Sequence, residues 1–222
     1  QTTLRKVAPA KRPLAPAPLS RVFGLDRGQP IDRYYISSFI QSNENAIHGV
    51  ALEIAEPRYA AQYAQQLERI EVLHVSASAR GATIIGDLSK PETLPKEVAD
   101  CFICTQTFQF IYDLAAAARG AAQLLKPGGT LLATLSGISQ ISRYDMDRWG
   151  DYWRFTNASA ERLFGETFPA ANVEVRSYGN VTAATAFLQG YSVEDIEHES
   201  LLDAHDPDYP VIIGVRARKP FP

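Results

Sequence analysis

Five short apolar runs recur between residues 50 and 135, and helical or small-residue segments separate them. The runs are Val50–Ile54, Glu71–Val75, Thr83–Ile85, Asp100–Thr105 and Thr130–Leu135. Strands that alternate with helices at this spacing predict a parallel sheet wound with helices on both faces. The helices are legible beside them. Ile31, Tyr34, Tyr35, Ile36 and Phe39 keep helical spacing to about Asn45, Arg58–Gln66 is helical, and an alanine-rich helix runs from about Asp113 to Leu125. Lys126-Pro-Gly-Gly129 is expected to stop that helix with left-handed glycines and open the next strand. Asn172–Tyr178 and Val211–Ala217 add two strands, with a helix ending near Gly190 between them. Ser192-x-x-Asp195 has the form of a capping box. The expectation is an α/β, doubly wound, seven-stranded, mostly parallel sheet with one antiparallel strand at its edge.

Composition narrows the class. With 222 residues, 45 % hydrophobic and 21 % charged, the chain suits one globular domain with a tail. No stretch nears the roughly 18 uninterrupted apolar residues that span a bilayer, and no signal-peptide core is visible, so the expected compartment is cytoplasmic. The net charge of −3 is uneven, because residues 1–22 carry +5 and no acid while the remainder carries −8. Pro9, Pro13, Pro16 and Pro18 among alanines mark 1–22 as an extended linker, leaving 23–222 as the folded domain. Met146 is the only methionine, which fits processing or a domain tethered to another through that linker. An acidic body without a basic stripe argues against nucleic acid as partner. Cys101 and Cys104 fall on opposite faces of one strand, which excludes a disulfide between them, and no histidine pair has metal-ligand spacing, so no metal is expected. His74, inside a strand, is read as structural.

In an open α/β sheet the ligand crevice lies at the carboxyl ends of the strands. Glu53 closes the first strand, where an acid accepts hydrogen bonds from a cationic group. Asp87 follows the third strand, suited to an amine N–H, with Leu88 to cover a flat ring. The fourth delivers Thr105, Gln106 and Gln109, with Phe108, Phe110 and Tyr112 as ring walls. After the fifth comes Ser142-Arg-Tyr-Asp-Met-Asp-Arg-Trp-Gly-Asp-Tyr-Trp-Arg-Phe155. Its Asp145 and Asp147, with Tyr144, are candidates to orient a hydroxyl or take its proton. Arg148 and Arg154 are candidates for an anionic group, Trp149, Tyr152 and Trp153 for stacking on a ring, and Asp151 for a hydroxyl. Asp145-Met-Asp147 also matches the Asp-x-Asp of metal-nucleotide sites, although the surrounding order does not fit one.

The order of these parts resembles the class I S-adenosylmethionine-dependent methyltransferases, a Rossmann-like family. The resemblance rests on Ala51-Leu-Glu-Ile54, Gly86-Asp-Leu88, Asp100 to Gln109, and above all Leu124-Leu-Lys-Pro-Gly-Gly-Thr-Leu-Leu132, and covers about 22–218. Asp151-Tyr-Trp-Arg-Phe-Thr156 looks like a segment of a branch associated with glycosyltransferases of surface polysaccharide synthesis. The resemblance implies S-adenosylmethionine as cofactor, held by Glu53, Ala55, Glu56, Tyr59, Ser76, Asp87, Leu88, Thr105, Gln106 and Gln109. It implies O-methylation of a small acceptor such as a sugar, which the 142–155 segment would face, and a lid over the cofactor formed by Arg27, Arg33 or Tyr34. Two positions depart from the family. Its Gly-x-Gly turn after the first strand reads Ala55-Glu56-Pro57-Arg58-Tyr59, with no glycine, and its ribose-binding acid after the second strand is replaced by Ser76. Arg58 is read either as a grip on the cofactor carboxylate or as a surface charge. The departures also suit a rival reading, a non-catalytic domain that keeps the fold as a binding or scaffold module. They argue against a nicotinamide dehydrogenase, which needs both the glycine turn and the ribose acid.

Overall fold

The computed structural model describes residues 16–222, so most of the 1–22 linker lies outside the described residues. Seven strands form one sheet: β1 (Gly49–Ile54), β2 (Leu67–His74), β3 (Ile84–Ile85), β4 (Ala99–Thr105), β5 (Leu125–Ser136), β6 (Val173–Tyr178) and β7 (Ile212–Arg218). Their order is β3-β2-β1-β4-β5-β7-β6. β1 to β5 pair parallel, and β7 runs antiparallel to both its neighbours. The antiparallel strand therefore lies inside the sheet, not at its edge as expected. β7 is buried along most of its length, whereas β6 alternates half-buried and exposed residues as an edge strand does.

Five helices accompany the sheet: α1 (Ile31–Ser42), α2 (Leu114–Leu124), α3 (Arg143–Met146), α4 (Asn157–Gly165) and α5 (Val181–Gln189). Strand side chains alternate faces, and the two cores follow that alternation. Leu52, Phe102, Cys104 and Leu131 face α2 and α4, while Ala51, Cys101, Ile103 and Leu132 face α1 and α5. Both cysteines are fully buried on opposite faces, and burial pushes each thiol up to about 12, which leaves them unreactive. Gly214 in β7 lets α1 close on the sheet, because a Cβ there would meet the Phe39 ring at 2.5 Å.

Two boundaries shift from expectation. Helix α2 starts after its N-cap Asp113, which accepts from Ala116 N at 2.9 Å, and it ends at Leu124, directly before β5. Lys126-Pro-Gly-Gly129 thus lies within β5, and of its two glycines Gly128 alone has positive φ, +79°. Lys126 pins the start of that strand to Asp100 on β4 at 2.6 Å. The expected helix 58–66 is a 3-10 turn from Ala60 to Gln66. Toward the N-terminus, Leu19 N donates to Gln189 O and Ser20 is buried against Gly190, so the docked chain begins before residue 23. Gly190 itself ends α5 in the left-handed conformation, and Ser192 and Asp195 form the expected capping box. No helix among the described residues is long and apolar enough to cross a membrane.

Candidate active site

The chain order reverses between β1 and β4, and there the sheet opens a cleft of about 810 Å³, a size suited to a small-molecule site. The tips of these two strands carry strained backbone. Ala55 has φ +68° and Gln106 φ +48°, the left-handed region that residues with a side chain rarely occupy. Glu56 N donates to Ile54 O at 2.9 Å, closing a three-residue γ-turn around Ala55. The backbone shape that a glycine would supply after β1 is therefore kept without the glycine. Ala55→Gly is expected to raise stability by about 1 kcal/mol, since the relief of left-handed strain outweighs the extra freedom of the unfolded chain. A thermal melt shifted up by about 2–4 °C would read that gain.

Glu53 anchors the same loop. It is 2 % exposed, and its Oε2 accepts from Tyr59 N at 3.0 Å and Ala60 N at 2.7 Å. Burial raises its pKa to about 7, against the lowering effect of those two N–H groups. Opposite, Asp87 Oδ1 accepts from Ser89 N and Ser89 Oγ, and Oδ2 lies 3.5 Å from Lys90. Burial pushes the Asp87 carboxyl up, but Ser89 and Lys90 together hold it below its ordinary value, so it stays ionised. Gln109 donates through Nε2 to Gln106 Oε1 at 3.0 Å, and its own Oε1 is buried without a partner among the described residues.

Of the expected site residues, the cleft brings together Glu53, Ala55, Glu56, Tyr59, Asp87, Leu88, Thr105, Gln106, Gln109, Tyr144, Asp145, Trp149, Asp151, Tyr152 and Arg154. Others do not line it: Phe108 is fully buried in the core, Trp153 donates through Nε1 to Ile111 O at 3.2 Å, and the lid candidates Arg27 and Tyr34 are bound to Asp195 at 2.7 Å and Asp203 at 2.6 Å. Ser76 is folded into its own turn, its Oγ 2.8 Å from Ser78 Oγ and accepting from Ser78 N at 3.3 Å. Asp147 stands on the outer side of α3, its side chain 61 % exposed and 3.5 Å from Arg143. Arg148 lies flat on the Tyr144 ring, 3.5 Å from its centre, and donates to Tyr144 O. Asp145 and Asp147 thus diverge, which removes the geometry of a shared metal. Among the described residues no group of three or more His, Cys, Asp or Glu is placed to hold one.

The 142–155 segment is stiffened from within. The Asp151 side chain is 1 % exposed and pairs with Arg154, and Asp151 Oδ2 accepts from Ser142 N at 2.9 Å. Arg154 also donates to Gln140 O at 2.7 Å and Trp153 O at 2.8 Å. Asp151 and Arg154 hold the loop's shape, while Trp149 and Tyr152 stand half-exposed at the mouth. Tyr112 packs edge-on to Tyr152, ring centres 5.4 Å apart. His74, expected to be structural, is the last residue of β2 and lines the cleft. Its Nδ1 accepts from Ser76 N at 2.9 Å, which leaves Nε2 as the donor of the neutral ring. Position at a strand's carboxyl end was the signal available for it. Asp32, at the start of α1, lines the cleft as well and carried no sequence signal beyond an acid in a helix's first turn.

Residues 47–133 match a family model described as a methyltransferase domain. The chain matches no curated protein. Among solved structures it is similar to the N-methyltransferase NodS from Bradyrhizobium japonicum WM9 in complex with S-adenosyl-L-homocysteine, at TM-score 0.55 and 14 % identity, covering 91 % of this chain and 94 % of that one. The fold is that of the class I methyltransferases. A SAM-dependent methyltransferase from Archaeoglobus fulgidus superposes at TM-score 0.53 with 9 % identity, covering 84 % of this chain and 94 % of that one. The [4+2]-cyclase SpnF superposes at 0.53 with 17 % identity, covering 88 % and 84 %. The methyltransferase fold therefore also carries chemistry other than methyl transfer, and the activity has to be argued from the site.

Proposed function

We propose that the protein is an S-adenosylmethionine-dependent methyltransferase that O-methylates a small, uncharged polar acceptor, a sugar being the best candidate. The observation that carries this reading is Ala55. A left-handed turn kept at the tip of β1 without glycine, at the edge of a ligand-sized cleft, is strain that a scaffold has no use for. The cleft also fits the cofactor chemically. Asp32 Oδ1 and Gln109 Oε1 are buried acceptors without partners among the described residues, which a ligand rich in donors would satisfy. When bound, S-adenosylmethionine supplies a methyl group activated as a sulfonium.

The residues divide by position. Asp87 and Leu88 beyond β3 suit the adenine amine and ring, and His74 Nε2 beyond β2 takes the ribose in place of the missing acid. The turn 55–59 receives the amino-acid end. On the acceptor side, Trp149, Tyr152 and Tyr112 offer faces to a sugar ring. Asp145 is the base, its Oδ2 fixed by Ser142 Oγ at 2.6 Å and its Oδ1 left for the acceptor hydroxyl. An anionic acceptor is disfavoured, because seven carboxylates and three arginines line the cleft and both arginines expected to receive it are engaged within their own loop.

Calorimetric titration with S-adenosylmethionine and S-adenosylhomocysteine tests the reading. Micromolar binding is expected, weakened about 10–100-fold by Asp87→Ala, a change equivalent to about 1.4–2.8 kcal/mol. Folded protein that takes up neither nucleoside at millimolar concentration would establish the scaffold role instead.

A further inference from the structure

The charged groups of the cleft are almost all matched within the protein. Of its three arginines, Arg58 is held by Glu56 at 2.9 Å and Arg154 by Asp151. Arg33 has no carboxylate within ion-pair distance among the described residues; its guanidinium lies beside the Tyr59 hydroxyl. The carboxylates follow the same pattern. Glu53, Glu56, Asp87, Asp113, Asp145 and Asp151 each accept at least one hydrogen bond. No side chain donates to Asp32, and its Oδ1 is closed off from water with no partner among the described residues. Asp32 and Arg33 are thus neighbours in the first turn of α1, each the strongest charge acting on the other yet not closed into an ion pair, and both line the cleft.

Their place in the fold says what they would take. Besides the charge of Asp32, Arg33 feels the Tyr59 hydroxyl beside it and then Glu56, so the first turn of α1 lies over the loop that follows β1. That loop has Ala55 at its start and no glycine, so it offers a left-handed turn but not the bare backbone on which a ligand carboxylate rests most closely. A ligand group lodged there meets one carboxylate and one guanidinium side by side. That is the complement of an α-amino acid, whose ammonium and carboxylate are two bonds apart. Burial raises the Asp32 pKa while the Arg33 charge opposes it, and an arriving ammonium relieves that cost.

We infer that Asp32 and Arg33 form a clamp for the amino-acid end of the cofactor, Asp32 receiving the α-ammonium and Arg33 the α-carboxylate, in place of the missing glycine turn. The clamp rests on the cofactor reading proposed above, and nucleosides with and without that end separate the two. With the full chain, binding of S-adenosylhomocysteine and of methylthioadenosine, which lacks the amino-acid portion, is measured by calorimetry. The unsubstituted protein is expected to prefer S-adenosylhomocysteine by at least about 30-fold. Asp32→Asn and Arg33→Gln are each expected to weaken S-adenosylhomocysteine by about tenfold or more and to leave methylthioadenosine unchanged, since charge-assisted hydrogen bonds are lost at one end only. Arg33→Lys keeps the charge and is expected to recover part of the loss. Equal weakening of both ligands would mean that the residues only support α1, and the clamp falls. It falls too if either variant binds S-adenosylhomocysteine as tightly as the unsubstituted protein, or if that protein binds both nucleosides alike. Should the unsubstituted protein bind neither, the cofactor reading fails, and the clamp with it.

Discussion

Replacing Arg154 by alanine is expected to cost about 1.5–3 kcal/mol, the usual worth of hydrogen bonds made to a charged group. The Asp151 side chain is 1 % exposed beneath the guanidinium, and once that group is gone Ser142 N is the one protein donor left to its carboxylate among the described residues. Arg154 also donates to the carbonyls of Gln140 and Trp153, so the same truncation unties both ends of the loop that carries Asp145, Trp149 and Tyr152. Urea unfolding measures the loss. Asp151→Asn combined with Arg154→Met removes both charges together and is expected to recover much of it. A single-variant loss under about 1 kcal/mol would show the pair to be energetically superficial. Cofactor binding should survive at permissive temperature, because Asp32, Ala55 and Asp87 stand on other elements.

How far the chain reveals itself depends on the range of the physics involved. Strands and helices are set by local periodicity, and five strands fall within a residue or so of where the apolar runs place them, while β5 starts at Leu125, ahead of the expected Thr130, because Lys126-Pro-Gly-Gly129 reads as a turn. β2 also begins early, at Leu67 instead of the expected Glu71, because its exposed first half (Glu68, Arg69) hides the alternation. The place of β7 was legible in hindsight, since Val211-Ile-Ile-Gly-Val is a continuous apolar run of the kind buried on both faces, while Glu174 and Arg176 on β6 alternate as an edge requires. Pairing was not legible. Asp151 and Arg154 read as acceptor contacts because a sequence does not show that they bind each other. Asp145 and Asp147 read alike because a two-residue offset in a helical turn puts them on different sides, a fact that depends on where the turn docks. Asp32 was missed for the opposite reason. Its distinction is the lack of a partner, which appears only when every neighbour is in place.

Glu53 should give the fold an unusual pH dependence. Its folded pKa of about 7 stands above the ordinary value of 4.5, so between those two the folded state holds a proton that the unfolded chain has released. Stability from this group is therefore full below about pH 4.5, declines as pH rises, and is gone above about pH 7, a change of about 3 kcal/mol at 1.36 kcal/mol per unit. Most proteins gain from their carboxylates over this window, so the term runs against the common trend. Glu53→Gln keeps an acceptor for Tyr59 N and Ala60 N and cannot ionise. It is expected to match the unsubstituted protein at pH 5 and to exceed it by about 2–3 kcal/mol at pH 8, read as the urea midpoint across that range. Glu53→Ala leaves two buried N–H groups without an acceptor and should cost about 2–5 kcal/mol at pH 8, with the loop 55–60 loosened and the cofactor bound more weakly. Parallel pH profiles for the unsubstituted protein and the Gln variant would mean that the carboxylate is already ionised at pH 5, held there by the two backbone N–H groups despite its burial; the turn around Ala55 would then rest on a fixed negative charge that Arg58 favours.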